Sequence, residues 1–292
     1  MTAPDLHPAR RFWQLLELLH VVTYFSPEPR AALKAIGVRQ FWPGYFGARS
    51  APMGAVGTAV VDATFYNFAP RLIGAAIPSV WEVASPDALL GARAEGAAAA
   101  LRRLVPSVDA EAPRIVPLLS SVVRSARCQG RVLAAANQAL ALPDDPVAAL
   151  WQCATTLREH RGDGHLAILV ALEVGGLEAH VLRAAAGELS ADLIKSSRGW
   201  SDEEWDAAVV RLGSRGVLDE DGGLNDDGRS LCAEIETRTD EVAEQPYLDG
   251  LTPEGLALLP SLLRPLAAAV AASGEIPLPN PIGFDPASAV DG

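Results

Sequence analysis

Apolar residues recur at helical spacing along most of the chain, and the interruptions between them mark the ends of predicted helices. The first apolar stripe runs over residues 10–24, where Ser-Pro-Glu-Pro at 26–29 interrupts it. A second helix is predicted over residues 30–36, and Gly37 ends it. The pattern therefore predicts a helix, a turn and a second helix near the start of the chain.

A similar pattern occurs in the second half. A helix is predicted over residues 146–161, Gly-Asp-Gly at 162–164 is predicted to break it, and a second helix follows. When Trp13 is laid on Trp151, the two breaks coincide, and so do the glycines that end the second helix of each pair. This match predicts an internal duplication.

The region after residue 200 shows a helix, a short hairpin and a long helix. Ser201 and Glu204 form a predicted capping box, and Arg-Gly at 215–216 follows the end of that helix. Residues 217–224 are predicted to form a small β-hairpin, and Asn-Asp-Asp at 225–227 to cap the long helix. This order of elements is typical of a winged helix.

Two groups of motifs resemble known families. The segment from Arg-Gly at 215–216 to Leu-Asn-Asp-Asp-Gly at 224–228 resembles the wing region of MarR-type winged-helix proteins. Leu-Arg-Glu-His-Arg-Gly-Asp-Gly-His at 157–165, with Gly-Trp-Ser at 199–201, is similar to an uncharacterised actinobacterial helix-turn-helix-like family. That similarity covers nearly the whole chain. The similarity implies a fold and assigns no enzymatic reaction.

The predicted fold is mostly α, with tandem winged-helix-like halves that arise by duplication and carry small β-hairpin wings. The first half spans residues 1–140, the second spans 141–273, and a Pro-rich tail covers 274–292. The apolar stretch at 256–272 contains Pro260, Arg264 and Pro265, so no membrane-spanning helix and no membrane partner are expected.

Composition agrees with packed helices, since 49% of the 292 residues are hydrophobic and 21% are charged. The three cysteines lie far apart in helical patterns, where Cys is usually a small buried hydrophobe. We therefore expect a cytoplasmic protein. Because both halves belong to one chain, we expect a monomer or a weak dimer.

The charge of the chain bears on its partners. The formal net charge is −12, and residues 201–221 contain seven acidic residues against Arg211 and Arg215. A recognition helix lies between two walls of phosphate, and basic residues normally supply the affinity there. The sequence therefore predicts no nucleic-acid partner.

The densest polar cluster surrounds the predicted break at 162–164. Imidazole titrates near neutral pH, so two histidines there are candidate acid–base groups, and a neighbouring carboxylate is placed to orient them. An alternative assigns the cluster to helix ends, with Asp163 as an N-cap and His165 in a first turn. The candidate catalytic residues are His160, His165 and Glu159, and the candidate ligand-binding residues here are Arg158, Arg161 and Asp163.

A second candidate set lies in the first half, where aromatic and polar residues are close in sequence. An aromatic, partly polar lining suits a small-molecule pocket, and the alternative is ordinary core packing. We expect the pocket between the two halves. The members of this set are His20, Tyr24, Tyr45, Arg49, Tyr66 and Asn67.

The function that the sequence favours is binding of a small-molecule ligand, and whether the protein is also an enzyme is left open. The alternatives are a MarR-like transcriptional regulator and a protein-interaction scaffold. No metal is predicted, because His160 and His165 are five residues apart and lack the spacing of four that places two ligands on one helix face. The sequence assigns no cofactor.

Overall fold

A computed structural model describes residues 6–291 of the chain as helices joined by short turns. A 3-10 turn, Ala51–Met53, follows the third helix. The α-helices are α1 (Pro8–Phe25), α2 (Pro27–Ala35), α3 (Phe41–Ser50), α4 (Thr58–Phe65), α5 (Pro70–Gly74), α6 (Val80–Val83), α7 (Pro86–Leu104), α8 (Val108–Ser125), α9 (Val132–Gln138), α10 (Pro146–Ala171), α11 (Gly176–Ala185), α12 (Ala191–Arg198), α13 (Asp202–Ser214), α14 (Asp226–Gly250), α15 (Pro253–Ala272) and α16 (Ser288–Asp291).

Side-chain caps and N-terminal prolines fix where several helices begin. The Asp145 side chain accepts a hydrogen bond from the Val147 backbone N–H at 3.0 Å, and Pro146 opens α10 at a position where no N–H is needed. Ser201 and Glu204 form the capping box of α13 that the sequence predicts. These starts are therefore encoded locally.

The largest core cluster forms where α1, α7, α8, α10 and α15 pack together. Leu16, Leu19, Leu101 and Leu150 are almost fully buried there. Burial of each such side chain contributes about 1.5–3 kcal/mol to folding. The centre of the molecule is therefore a bundle in which α10 contacts helices from both ends of the chain.

Two smaller clusters flank this bundle. One joins α3 to α6 around Phe46 and Ile77, and the other joins α11 to α14 around Trp205 and Ile235. Leu169, near the end of α10, belongs to the second of these. The long helix α10 therefore links the bundle to the α11–α14 region.

The break predicted at residues 162–164 is wrong, because α10 continues through it. Gly164 lies where α10 packs against the Arg131 and Val242 side chains, and a Cβ there would lie 3.0 Å from Val242 Cγ2. The glycine allows close packing and does not end the helix. Asp163 is therefore not an N-cap of its own segment, and His165 does not start a helix.

The structure does not confirm the internal duplication. The chain breaks at Ser26 between α1 and α2, but α10 has no matching break. Gly37 has φ +95° and follows the end of α2, whereas Gly175 has φ −68° and caps the start of α11. The two aligned glycines thus have different conformations and opposite places relative to their helices.

The predicted β-hairpin wing is also wrong in its detail, because residues 6–291 contain no β-strand. Residues 217–224 form a tight turn with a single antiparallel bridge between Leu218 and Leu224. The Asp219 side chain accepts hydrogen bonds from the backbone N–H groups of Asp221 and Gly223, at 3.0 and 2.8 Å. A side chain, rather than a strand ladder, holds this turn.

Helix α15 also differs from the expectation, since Pro260 and Pro265 lie inside it without ending it. Among the helices of residues 6–291, it is the single one that is long and apolar enough to cross a membrane by length and composition. Its Leu259, Leu263 and Leu266 are fully buried in the bundle core. The helix therefore contributes one face to the tertiary core.

Candidate functional site

A cavity of about 320 Å³ lies between α1, α2, α3, α7 and α10. This volume is equivalent to about ten water molecules and falls within the range of small-molecule pockets. The wall combines aromatic rings with arginines and a few small residues. Its aromatic residues, apart from a histidine, are Tyr24, Phe25, Phe41, Tyr45 and Trp151.

Helical spacing places most of the polar side chains on the cavity wall. Residues four apart lie on the same helix face, so each of three helices directs a row of side chains at the cavity. The rows are His20 and Tyr24 on α1, Tyr45 and Arg49 on α3, and Trp151, Thr155 and Glu159 on α10.

A glycine on α7 allows α2 to form the edge of the cavity. A Cβ at Gly96 would overlap the Pro29 backbone and lie 2.9 Å from Pro29 N. Because glycine has no side chain, α2 and α7 approach each other closely at this point. That approach positions Arg30 and Leu33 of α2, which both line the cavity.

His20 connects two hydroxyl groups of the wall. Its Nδ1 lies 3.0 Å from Thr155 Oγ1, and its Nε2 lies 3.1 Å from the Tyr24 hydroxyl. Burial holds the pKa of His20 well below its ordinary value and raises the pKa of Tyr24, so both groups are neutral at pH 7. A neutral imidazole donates through one nitrogen and accepts through the other. The three groups can therefore offer both donors and acceptors of hydrogen bonds to a molecule in the cavity.

Glu159 is a buried carboxylate held by two arginines. It accepts two hydrogen bonds from Arg49, from Nε and Nη2, both at 2.9 Å, and one from Arg158 Nη1 at 3.1 Å. Burial alone would raise the pKa of Glu159, but the charges of Arg49 and Arg158 hold it far below its usual range. This ion-pair network fixes the orientation of Arg49 at the cavity wall.

Arg93 is a buried cation held by neutral groups. Its Nη1 donates to the Ala48 carbonyl at 3.0 Å, and its Nη2 donates to Asn137 Oδ1 at 3.0 Å and Gln152 Oε1 at 3.1 Å. Its guanidinium lies 5.4 Å from the Trp151 ring centroid. Burial lowers the pKa of Arg93 to about 10, so the group stays charged at neutral pH.

With this geometry established, comparison with known proteins identifies the family. A family model described as a helix-turn-helix family matches residues 9–277. The chain belongs to this helix-turn-helix family. No curated protein and no solved structure matches it.

Helices α12 and α13 and their short connection form a helix, a turn and a second helix. Gly199, at φ +78°, ends α12, and Ser201 caps α13. Arg211 pairs with Glu178, and Arg215 donates to the carbonyls of Leu172 and Glu173. The exposed residues of α13 include Asp202, Glu203, Asp206 and Val210.

Family membership corrects the expectation that the protein has no nucleic-acid partner. A helix-turn-helix is a common DNA-binding unit, so a match over most of the chain points to nucleic-acid binding. The expectation rested on the sign of the charges along one helix. Local charge on that helix does not describe the other surfaces of the chain.

Five of the twelve predicted site residues line the cavity. The sequence placed four of them in one set and Glu159 in another, and the structure brings α1, α3 and α10 together around them. The cavity lies between helices of the first part of this helix-turn-helix chain and the N-terminal part of α10. The five residues are His20, Tyr24, Tyr45, Arg49 and Glu159.

Three predicted site residues lie on other faces of α10. Arg158 is behind Glu159, where its Nε donates to Glu17 at 3.4 Å. Arg161 pairs with Asp240 of α14 at 3.0 Å. The His160 imidazole is buried, and its Nε2 has no hydrogen-bond partner among the described residues. Burial lowers the pKa of His160 to about 4.

Two more residues of the cluster join α10 to its neighbours. Asp163 Oδ2 accepts a hydrogen bond from the Ala134 backbone N–H at 2.9 Å, so it caps the start of α9 from outside. His165 Nδ1 lies 3.0 Å from Thr239 Oγ1 of α14, and burial lowers the pKa of His165 to about 4. Neither residue lines the cavity.

The last two predicted site residues connect the first part of the chain to α11 and to the segments before α11 and after α12. The Tyr66 hydroxyl donates to the Val174 carbonyl at 2.7 Å. The Asn67 backbone carbonyl accepts hydrogen bonds from His180 Nε2 and Trp200 Nε1, both at 3.2 Å. These contacts hold α11 and the segments at residues 174 and 200 against the loop between α4 and α5.

Sequence reasoning missed several cavity residues. Trp151 and Thr155 share the spacing of four with Glu159, a signal that was available once residues 146–161 were read as a helix. Arg93 gave no signal, because only the packing of α7 against α10 places it at the wall. Arg30 and Arg39 also gave no signal, because only tertiary packing places them at the wall.

Among residues 6–291, no group of three or more His, Cys, Asp or Glu is placed to hold a metal ion.

Proposed function

We propose that this helix-turn-helix protein binds a small organic molecule in the cavity between α1, α2, α3, α7 and α10. The observation that carries the proposal is the convergence of the His20, Tyr24 and Thr155 hydrogen-bond chain with Arg49 and aromatic rings on one concave space. A concave wall of apolar and aromatic groups with a few placed polar groups is the usual form of a ligand site.

The polar groups on α1, α3 and α10 are held in place before a ligand arrives. Glu159 fixes Arg49 through two hydrogen bonds, and Thr155 and Tyr24 fix the His20 ring from its two nitrogens. A binding group that is already ordered loses little side-chain entropy when a ligand binds.

A cavity-filling substitution tests the proposal. Ala48 lines the cavity, whereas Ala31 is an exposed residue of α2 outside the wall. We expect wild-type protein and the matched control Ala31→Phe, purified from the natural host, to retain the same bound molecule in native mass spectrometry. Ala48→Phe should lose it while its circular dichroism spectrum stays helical.

Two results would overturn the ligand proposal. The first is retention of the same molecule by Ala48→Phe. The second is that none of the three proteins carries a bound molecule and that adding a cell extract leaves their melting temperatures unchanged. If Ala48→Phe fails to fold, Thr23→Phe fills the cavity from α1 instead. The prediction for that variant is the same loss of the bound molecule.

A second candidate function is nucleic-acid binding, in the manner of a MarR-like regulator, and it is supported by family membership. In such a protein α13 would enter the major groove, with Glu203 and Asp206 exposed on it. Removing carboxylates that approach phosphate strengthens binding. Titration of labelled duplex DNA compares wild-type protein with the E203Q/D206N variant at low and high salt. Tighter binding by the variant would place the duplex against α13, and equal binding would place it elsewhere.

A further inference from the structure

The cavity has an excess of positive charge, although the whole chain carries a formal charge of −12. Only one carboxylate, Glu159, belongs to its wall. A buried or half-buried charge is costly unless an opposite charge compensates it. The arginines of the wall are Arg30, Arg39, Arg49 and Arg93.

The single carboxylate does not neutralise this excess. Glu159 is held by Arg49 through two hydrogen bonds, and Arg158 donates to it from behind the wall. Two cations therefore already share one anion. The other three arginines of the wall form no hydrogen bond with Glu159.

Arg93 is the innermost of these cations. It is 4% exposed, all the acceptors that hold it are neutral, and its buried Nε has no hydrogen-bond partner among residues 6–291. No carboxylate forms an ion pair with it in that range. Arg93 thus lacks an ion-pair partner at the cavity wall.

Arg30 and Arg39 lie at the outer part of the wall, one on α2 and one in the segment before α3. Both are exposed, and neither forms an ion pair or a side-chain hydrogen bond within the described part of the chain. Two carboxylates, Glu28 and Glu275, lie near the wall residue Ser26. Both form ion pairs with Arg103, and neither pairs with Arg30 or Arg39. The two arginines are therefore available to an external anion.

Aromatic rings of the cavity wall are the second feature, beside the arginines, that would contact a ligand. The Tyr24 and Tyr45 ring centroids lie 5.2 Å apart, and Phe41 stacks on Tyr45 at 6.2 Å. Phe41 is 48% exposed, which is unusual for so large an apolar side chain. A flat ring inserted among these side chains would cover that exposed surface.

We infer that the cavity binds an organic acid, with an aromatic or other flat body among Tyr24, Phe41 and Tyr45 and a carboxylate or phosphate group on Arg30 and Arg39. Guanidinium groups bind both anions through paired, charge-assisted hydrogen bonds. Arg93 adds long-range attraction from the inner wall. This inference rests on the proposed ligand site and names the class of ligand that it takes.

Isosteric probes test the charge preference. Isothermal titration calorimetry compares 2-naphthoate with 2-naphthamide, which has nearly the same shape and no charge, and 2-naphthyl phosphate distinguishes a phosphate site from a carboxylate site. We expect 2-naphthoate or 2-naphthyl phosphate to bind at least about tenfold more tightly than the amide, the ratio that one charge-assisted hydrogen bond supplies.

The matched variants assign that preference to the two outer arginines. In Arg30→Gln combined with Arg39→Gln, the acid should bind about tenfold more weakly and the amide should be unaffected. Lys34→Gln is the control, because Lys34 is exposed on the same helix but does not line the cavity. It should retain the full preference. All three positions are exposed, so the fold is not at risk.

Three results would overturn the inference: equal affinity for acid and amide, a preference that survives in the double variant, or no binding of either acid at millimolar concentration. Equal affinities that Ala48→Phe abolishes would leave the proposed ligand site standing. A molecule retained from the host, together with no affinity for the acids, would do the same. Failure of the two proposals is therefore distinguishable.

Discussion

At the scale of single residues, the charged groups of this protein are organised by burial. Glu159 is 1% exposed, and its two arginine partners are mostly covered, so the network has little access to water. Removing one member of such a network leaves a buried charge without its partner, which costs more than the network contributes. The exposed ion pairs of the surface lack this sensitivity.

Glu159→Gln should therefore lower the free energy of unfolding by about 3–5 kcal/mol, because Arg49 and Arg158 lose their common anion. Urea denaturation at pH 7 measures the change. Glu111→Gln is the control, since Glu111 pairs with Arg114 on the exposed face of α8, and it should cost less than about 1 kcal/mol. Equal effects of the two substitutions would show that the Glu159 network is not buried as described.

Asp163 gives a prediction with a defined sign in pH. Burial raises the pKa of Asp163 to about 6 from an ordinary value near 4, so the folded protein binds this proton more tightly than the unfolded chain. The stabilisation that follows is present in full below pH 4 and is lost as the pH rises through 6. Asp163→Asn keeps an oxygen acceptor for the Ala134 N–H but cannot titrate.

The stability of wild-type protein relative to Asp163→Asn should therefore fall by about 2–3 kcal/mol between pH 4 and pH 6. Denaturation of both proteins across this range measures it, and the comparison cancels the titration of His160 and His165. A difference that is constant with pH would contradict the raised pKa. Asp163→Ala should be less stable than Asp163→Asn by about 1–2 kcal/mol at all pH values, because neither residue titrates and in Asp163→Ala the Ala134 N–H loses its acceptor.

At the scale of elements, α10 connects the cavity to α14. Its N-terminal part carries Trp151, Thr155 and Glu159 at the cavity, and its C-terminal part contacts α14 through Arg161 and His165. Both parts belong to one rigid helix because residues 162–164 do not break it. A ligand in the cavity and the packing of α14 are therefore connected through one element.

Two glycine substitutions test this continuity. A Cβ at Gly162 would meet only Glu159 Oε2 at 3.7 Å, whereas one at Gly164 would displace Arg131 and press on Val242. We expect Gly162→Ala to stabilise the protein by about 0.5–1 kcal/mol, the usual gain inside a helix. Gly164→Ala should destabilise it. Urea denaturation of both variants measures the contrast, and destabilisation by Gly162→Ala would mean that the helix is interrupted there.

At the scale of the whole molecule, the packing of α10 bears on how the chain unfolds. This helix buries residues in the central bundle, and Leu169 belongs to the α11–α14 cluster. The boundary near residue 140 that the sequence predicts would place α10 apart from α1, α7, α8 and α9, with which it packs. That division of the chain stays a prediction.

We expect α1 and α13 to lose protection at the same denaturant concentration, because the loss of α10 removes packing partners from both regions. Hydrogen exchange with mass spectrometry, read on peptides from residues 8–25 and 202–214 over a urea series, measures this. Protection of α1 that persists after α13 has exchanged fully would support two independently unfolding halves instead.

The sequence by itself determined features that depend on neighbouring residues. The apolar spacing gave α1, α2 and the start of α10, and the Ser201 to Glu204 capping box gave the start of α13. The spacing of four put His20 beside Tyr24. These features follow from the repeat of the helix and from hydrogen bonds within one turn, so a single sequence contains all the information they need.

The tertiary structure decided everything that depends on packing between distant segments. Gly162 and Gly164 read as a helix break, yet the packing of α10 against Arg131 and α14 keeps the helix intact. Residues 217–224 were expected to form a β-hairpin wing, but hydrogen bonds from backbone N–H groups to the Asp219 side chain hold them in a turn instead. Arg93 entered the site because α7 packs on α10. Local propensities differ by about 1 kcal/mol or less, and the burial energy of a helix face exceeds them, so the packing prevails.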